Sequence, residues 1–165
     1  MKQTAPEQFH PSPAKKSGSQ IAALCWRMHR GRVQVLLITS RDTGRWIVPK
    51  GWPMVGKTAA EAAATEAWEE AGVQGALETD EPIGRYGYDK QRAAKAPLPC
   101  DVSVYALRVS ALAEKFPERK ERRRKWFDAR KAARKVAEPE LRSLLAGLCL
   151  DGQNLSQRPA QEKAT

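Results

Sequence analysis

The sequence predicts an α/β domain in which a mixed β-sheet packs against helices. Three observations carry this. Several short β-branched and apolar segments are separated by turn residues. One alanine-rich helix has both of its ends marked. The regular strand–helix alternation of a doubly wound sheet is missing.

In chain order, residues 21–28 are apolar and short and read as a strand, and residues 33–39 (VQVLLIT) as a second. Arg30-Gly31-Arg32 is the turn between them, so the pair forms a hairpin. Trp46-Ile47-Val48 is a third strand, stopped by Pro49. Thr58, followed three residues later by Glu61, forms a capping box. A helix then covers residues 59–71, and Gly72 takes the left-handed C-cap. Residues 83–88 and 101–109 (DVSVYALRV) read as strands, joined by a loop rich in Lys, Arg, Ala and Pro. The basic run ERKERRRK occupies residues 118–125, and Trp126-Phe127 follows as a pair that closes the core. A last helical stretch spans residues 129–148, with a break or fresh start near Glu138 imposed by Pro139.

The 165 residues suffice for one domain with a real core. Pro, Gly and polar residues make 1–19 and 151–165 tails, which leaves 20–150 as the folded part. No apolar run approaches the roughly 18 residues of a membrane span, and no secretory h-region is present. Cys25, Cys100 and Cys149 are odd in number and widely spaced, without a CxxC. That argues against a disulfide framework or a zinc site and points to reduced thiols in the cytoplasm. The formal charge is +10, so the partners to look for are anions: nucleic acid, acidic membrane or polyphosphorylated small molecules.

Glu66, Glu69 and Glu70 stand at i, i+3 and i+4 on the 59–71 helix, within one turn of each other. Three like charges so close need a compensating cation. A divalent ion that prefers hard oxygen ligands and shares them with substrate phosphates suits the cluster, although a solvated acidic face has the same spacing. Ala60, Ala63, Ala64, Ala67 and Ala71 are expected on the opposite face, where small side chains let the helix approach a sheet.

The stretch GWPMVGKTAAEAAATEAWEEAGV, residues 51–73, resembles the Nudix box, G-x5-E-x7-R-E-U-x-E-E-x-G-U with U aliphatic. Gly51, Glu66, Glu69, Glu70, Gly72 and Val73 match in register, and Ala67 stands in for the first U. Lys57 replaces the first glutamate and Thr65 replaces the arginine. Thr39-Ser40-Arg41, the run Trp46 to Gly51, and Arg122-Arg123-Arg124 before Trp126-Phe127 are similar to the diphosphoinositol polyphosphate phosphohydrolases of that family. The resemblance implies the Nudix fold, a mixed sheet sandwiched between helices, and metal-dependent cleavage of a phosphoanhydride. It implies Mg²⁺ or Mn²⁺ on Glu66, Glu69 and Glu70, with Glu66 and Glu70 also catalytic. The general base is Glu66 or a carboxylate outside the box, with Asp89, Glu114 and Glu118 as candidates. Arg41, Lys50, Gly51, Lys57, Arg122, Arg123 and Arg124 are the expected substrate contacts. In a strand, alternation keeps those last three from entering one site together.

Within the family, the flanking similarity favours diphosphoinositol or dinucleoside polyphosphates, with an RNA 5′ end as a further possibility. Two other classes compete. A Nudix domain that binds a phosphorylated ligand or RNA without cleaving it would follow from the lost arginine at Thr65. Gly51-x4-Gly56-Lys57-Thr58 also fits the P-loop GxxxxGK[ST] of an NTPase. Pro53 removes an N–H from that loop, no repeated βα units follow, and the glutamates stay unexplained. Tyr86 and Tyr88 share a strand face and offer either packing or ring stacking.

Overall fold

The computed structural model describes residues 18–150. The tails assigned from the sequence fall, up to residue 17 and from residue 151, outside the described residues. Strand β1 (Gly18–His29) turns into β2 (Arg32–Thr39) through Arg30 and Gly31, with φ of 52° and 77°. Two consecutive positive φ values give the hairpin turn whose twist matches paired strands. β1 pairs antiparallel with β2 from Trp26↔Val35 to His29↔Arg32. Lower down it pairs with β4 (Lys50–Gly51) at Ile21↔Gly51 and Ala22↔Lys50. β2 and β4 therefore diverge along the same edge of β1. β3 (Trp46–Ile47) stays with β2, and Pro49 stands where the chain crosses from one to the other. That divergence brings the backbone of Lys50 and Gly51 out beneath the helix α1 (Ala59–Ala71).

β7 (Lys95–Leu112) runs parallel to β1 from Gly18↔Cys100 to Trp26↔Arg108, while all the other described pairings are antiparallel. The sheet is therefore mixed, as expected. β6 (Gly84–Arg92) and β5 (Val73–Leu77) both pair with β7, and β8 (Arg124–Asp128) pairs with β2. Side chains alternate between two cores. Ala22, Leu24 and Trp26 of β1 join Val102, Val104 and Ala106 against helices α2 (Ala129–Lys135) and α3 (Pro139–Leu150). Ile21, Ala23 and Cys25 join Tyr105 and Leu107 against α1. The sheet is thus sandwiched between helices.

Both ends of α1 form as the sequence indicates. The Thr58 side chain accepts from the Glu61 N–H, and the Glu61 side chain accepts from the Thr58 N–H. Gly72 takes the left-handed C-cap at φ 66°. The expected separation of alanine and glutamate faces needs correction. Ala60, Ala62, Ala63, Ala67 and Ala71 are buried, Ala64 is only half-buried, and Glu70 is buried among the alanines. Position 70 lies one turn from Ala67 and Ala63 on the same side, so it turns inward with them. The break near Glu138 is present, and Pro139 begins α3, where its missing N–H costs nothing.

Two other expectations are overturned. β5 was not anticipated, because four of its five residues face solvent or are only half-buried and carry no alternation. The segment expected to be a loop between two strands is continuous hairpin, paired out to Arg92↔Lys95 with Ala94 at φ 57°. Pro97 and Pro99 are tolerated there because β1 joins β7 only from Cys100 onward. Before that point, among the described residues, a missing N–H deprives no second neighbour.

A methyl group at Gly72 would meet the Phe116 ring at 2.5 Å and Arg124 at 2.8 Å, whereas Gly44, at φ 68°, has open space. Gly44→Ala is expected to cost about 1 kcal/mol from backbone strain alone, and Gly72→Ala at least about 2 kcal/mol. Urea unfolding of the two variants checks the difference, and equal losses would remove the steric part of this account.

Candidate active site

The divergence of β2 and β4 sets the Lys50–Gly51 backbone against the inward side of α1. Gly51 is required there by space. A Cβ at that position would overlap the Glu66 carboxylate, which lies directly on the Gly51 backbone. One turn further along, Glu70 Oε2 accepts from the Lys50 N–H at 3.2 Å. The Glu66 and Glu70 carboxyls are within hydrogen-bonding reach of each other. Burial, followed by the nearby Glu69 charge, raises Glu66 above the usual carboxylate range. Burial pushes Glu70 up to about 8, opposed by Arg122 and reinforced by Glu66. Glu69 is half-buried, and its carbonyl accepts from the Glu118 N–H at 2.9 Å.

The one arginine of the run 122–124 that reaches these carboxylates is Arg122. Its side chain is 7% exposed and stands 3.4 Å from Glu70 Oε1 and 3.2 Å from Glu118 Oε1. Its Nη1 donates to the Thr39 carbonyl at 3.1 Å. The Thr39 N–H donates to the Arg123 carbonyl and the Thr39 hydroxyl accepts from the Arg123 N–H, which continues the β2–β8 pairing and fixes the direction of Arg122. Strand alternation then distributes the run. Arg123 faces solvent. Arg124 turns back toward α1, donates to the Ala71 carbonyl at 2.7 Å and stacks on Phe116. A cation at the C-terminal end of a helix stabilises it. Arg124 is thus placed at the end of the helix, away from Glu66.

The remaining sequence candidates spread around this centre. Arg41 is exposed and makes long ion pairs with Glu118 at 3.6 Å and Glu121 at 3.9 Å. The Lys50 ammonium stands 4.7 Å over the Tyr88 ring. Burial pulls Lys50 below the ordinary lysine range, against the Glu70 charge that raises it. Lys57 and Thr65, the two departures from the box, meet each other: Lys57 Nζ donates to Thr65 Oγ1 at 2.7 Å, and Thr65 in turn donates to the Glu61 carbonyl. Among the base candidates Glu118 is at the centre. Asp89 is exposed on the opposite side of β6 from Tyr88, and Glu114 acts on Arg124 instead. Arg45, bonded to the buried Glu138 at 2.6 Å, and Trp52 were not singled out by the sequence. No local pattern marks either residue.

The donor chemistry suits a divalent cation. The neighbouring Glu66 and Glu70 carboxyls, backed by Glu118, are hard oxygen ligands whose repulsion Arg122 relieves only in part. Among the described residues, no three such side chains already converge on one point. The strand entering the loop 51–58 is the two-residue β4, antiparallel to β1, and Lys57 is engaged by Thr65. Neither feature belongs to a P-loop.

Comparison with known proteins agrees with this geometry. A family profile described as NUDIX domain matches residues 18–148, and the chain belongs to that family. Nudix hydrolase 16, mitochondrial, of Arabidopsis thaliana is 34% identical over 121 residues, covering 71% of this chain and 66% of its own. Human diphosphoinositol polyphosphate phosphohydrolase 3-beta is 32% identical over 121 residues, covering 72% and 67%. The chain spans about half to two thirds of the length of the curated relatives it matches. Among solved structures, a C. elegans Ap4A hydrolase superposes with a TM-score of 0.58 at 21% identity, covering 79% of this chain and 94% of that one. The E. coli dihydroneopterin triphosphate pyrophosphohydrolase gives 0.61 at 20% identity, covering 81% and 95%. These likenesses establish the Nudix fold.

Two predictions follow from the carboxylate centre. A carboxyl raised from 4.5 to about 8 by folding holds its proton longer in the folded state. Its contribution to stability is complete below pH 4.5 and is lost as pH rises through about 8. Unfolding free energies of metal-free protein across that range should fall more steeply for wild type than for Glu70→Gln, and parallel profiles would contradict the assignment. At pH above about 8, where Glu70 is ionised, Arg122→Met should cost on the order of 3 kcal/mol by stranding the Glu70 and Glu118 carboxylates. Arg123→Met should stay within about 0.5 kcal/mol. Thermal melts distinguish the two, and equal losses would count against the bridging role.

Proposed function

We propose that this chain is a divalent-metal-dependent pyrophosphohydrolase that cleaves a phosphoanhydride bond in a polyphosphorylated small molecule. The observation that carries the reading is the Glu66–Glu70 pair, packed on Gly51 and capped by the Lys50 N–H. A stability-driven core would not place two carboxyls together there. Glu66, Glu69 and Glu70 are the proposed ligands of Mg²⁺ or Mn²⁺. When bound, the ion would withdraw charge from the phosphoryl oxygens and acidify a water.

The chain's own residues supply the rest. Arg122 holds Glu70 and Glu118 in fixed directions through a planar fork. Lys50 presents an ammonium beside Glu70 for a substrate phosphate, and the exposed Arg41 and Lys57 stand at the rim for outer charges. Water adds to phosphorus, the anhydride oxygen leaves with its electron pair, and the water proton passes to a carboxylate, with Glu66 or Glu118 placed to take it. Two phosphorylated products result. The substrates in view are a dinucleoside polyphosphate and a diphosphoinositol polyphosphate, with an RNA 5′ end behind them. Reduced Cys25 and Cys100 support a cytoplasmic setting. Among the described residues no helix is long and apolar enough to cross a membrane.

One observation favours a second reading. Thr65 is engaged by Lys57 and the Glu61 carbonyl, so the helix offers no cation at that position to orient its carboxylates. A domain that binds a phosphorylated ligand without cleaving it would follow. A turnover screen with Mg²⁺ and Mn²⁺ separates the two. The panel is diadenosine polyphosphates, nucleoside triphosphates, a nucleoside diphosphate sugar, a diphosphoinositol phosphate and triphosphorylated RNA. The hydrolase reading expects anhydride cleavage of at least one compound and a loss of roughly a hundredfold or more in Glu70→Gln. Binding without turnover across the panel would establish the alternative.

A further inference from the structure

The seven residues of α2 include four cations and no carboxylate. Ala129, Ala132 and Ala133 take the buried side, so Arg130, Lys131, Arg134 and Lys135 all face outward. This arrangement works against the helix itself. Arg130–Arg134 and Lys131–Lys135 are like-charge pairs four apart, and Arg130 stands in the first turn, where the helix dipole opposes a cation. Neighbouring elements add charge of the same sign. Lys125 of β8 and Lys135 both stand over the Phe127 ring, at 5.4 Å and 6.0 Å. Arg142 of α3 donates to the Val136 carbonyl at 2.7 Å, which holds its guanidinium against the end of α2. With Arg134, Ser143 and two alanines it lines a shallow groove between the helices. The ion pairs among the described residues involve none of these six cations. The nearest carboxylates in sequence are engaged elsewhere: Asp128 pairs with Arg32, and the buried Glu138 with Arg45.

We propose that this α2–α3 face is a docking surface for a nucleic-acid strand, held through its sugar–phosphate backbone. A surface kept for solubility mixes both signs of charge, whereas this one concentrates a single sign at a cost to its own helix. Charge is also nearly all that the face offers. Among the described residues the exposed large apolar side chains are Met28, Trp52 and Val55, and none lies on α2 or α3. A protein partner would need an apolar centre to bury. An amphipathic membrane helix would need bulky apolar residues to insert, and the other side of α2 is alanine packed on the sheet. Neither helix carries an aromatic ring on which a base could stack, so the contact takes phosphates and is indifferent to sequence. The carboxylate helix α1 packs on the other face of the sheet. The strand therefore binds away from Glu66 and Glu70, and the surface stands independently of the hydrolase reading.

Fluorescence anisotropy in EDTA with a 3′-labelled oligouridylate tests the surface. Its 5′ end is a hydroxyl, so it offers the carboxylate site no terminal phosphate. Wild type should bind it at about 50 mM salt, with an affinity that falls steeply as salt rises. Arg130→Gln, Lys131→Gln, Arg134→Gln and Lys135→Gln together should weaken binding about tenfold or more and lower the slope of log K against log salt by about 2 to 3. Gln keeps helix propensity and removes the repulsion, so the melting temperature should hold. Arg130→Lys with Arg134→Lys retains the charge and should bind as wild type does. Arg41→Gln with Lys57→Gln, at the rim of the carboxylate site, should do the same. Failure of wild type to bind at low salt would overturn the proposal, as would unchanged binding by the fourfold variant or a loss carried by Arg41 and Lys57 instead. Displacement of the label by phosphatidylserine vesicles but not by unlabelled oligouridylate would assign the face to an acidic membrane and overturn it too.

Discussion

Burial of Glu70 is the constraint around which the centre is arranged. A carboxylate this deep loses hydration that few contacts replace. Here the replacement comes from two segments far from Glu70 in the chain. The Lys50 N–H arrives because β4 leaves the β2 edge of β1, and Arg122 arrives on the extension of β8. The alanines of α1 let the helix approach closely enough for both to reach. These contacts only partly offset burial, and Glu70 remains at about 8. The residual tension is informative: a site shaped only for stability would carry an apolar residue here.

The same alternation that builds the sheet sorts the basic run. Arg122 and Arg124 turn toward α1, one to the Glu70 carboxylate and one to the Ala71 carbonyl. Arg123 faces water between them. Three adjacent arginines thus carry different duties, set by the β2–β8 register. Lys57 and Thr65 show a comparable local economy. The cation and hydroxyl that depart from the family box bond each other, and Arg122 supplies a cation to the centre from the sheet side.

Much of this was legible where the determinants are local. The capping box at Thr58, the left-handed Gly72, the hairpin at Arg30-Gly31 and the break at Pro139 each follow from residues within a few positions of one another. Elements with exposed or proline-bearing strands were not legible. β5 and the outer β6–β7 hairpin owe their form to pairing across the sheet, and their own side chains carry no periodic pattern. The box located the glutamates, but helical spacing could not say which of them turns inward. That depends on which side of α1 the sheet occupies. The partner of Arg122 and the exposure of Trp52 depend on tertiary placement in the same way.

The most direct test of the account is to count protons released when Mn²⁺ binds. Calorimetry in buffers of different ionisation enthalpy at about pH 6.5 should show close to one proton released per ion, because Glu70 must give up the proton it holds below about 8. Release should fade by about pH 9 and be absent in Glu70→Gln. Binding without proton release at the lower pH, or the same release in Glu70→Gln, would contradict a buried, protonated Glu70 at the centre of the site.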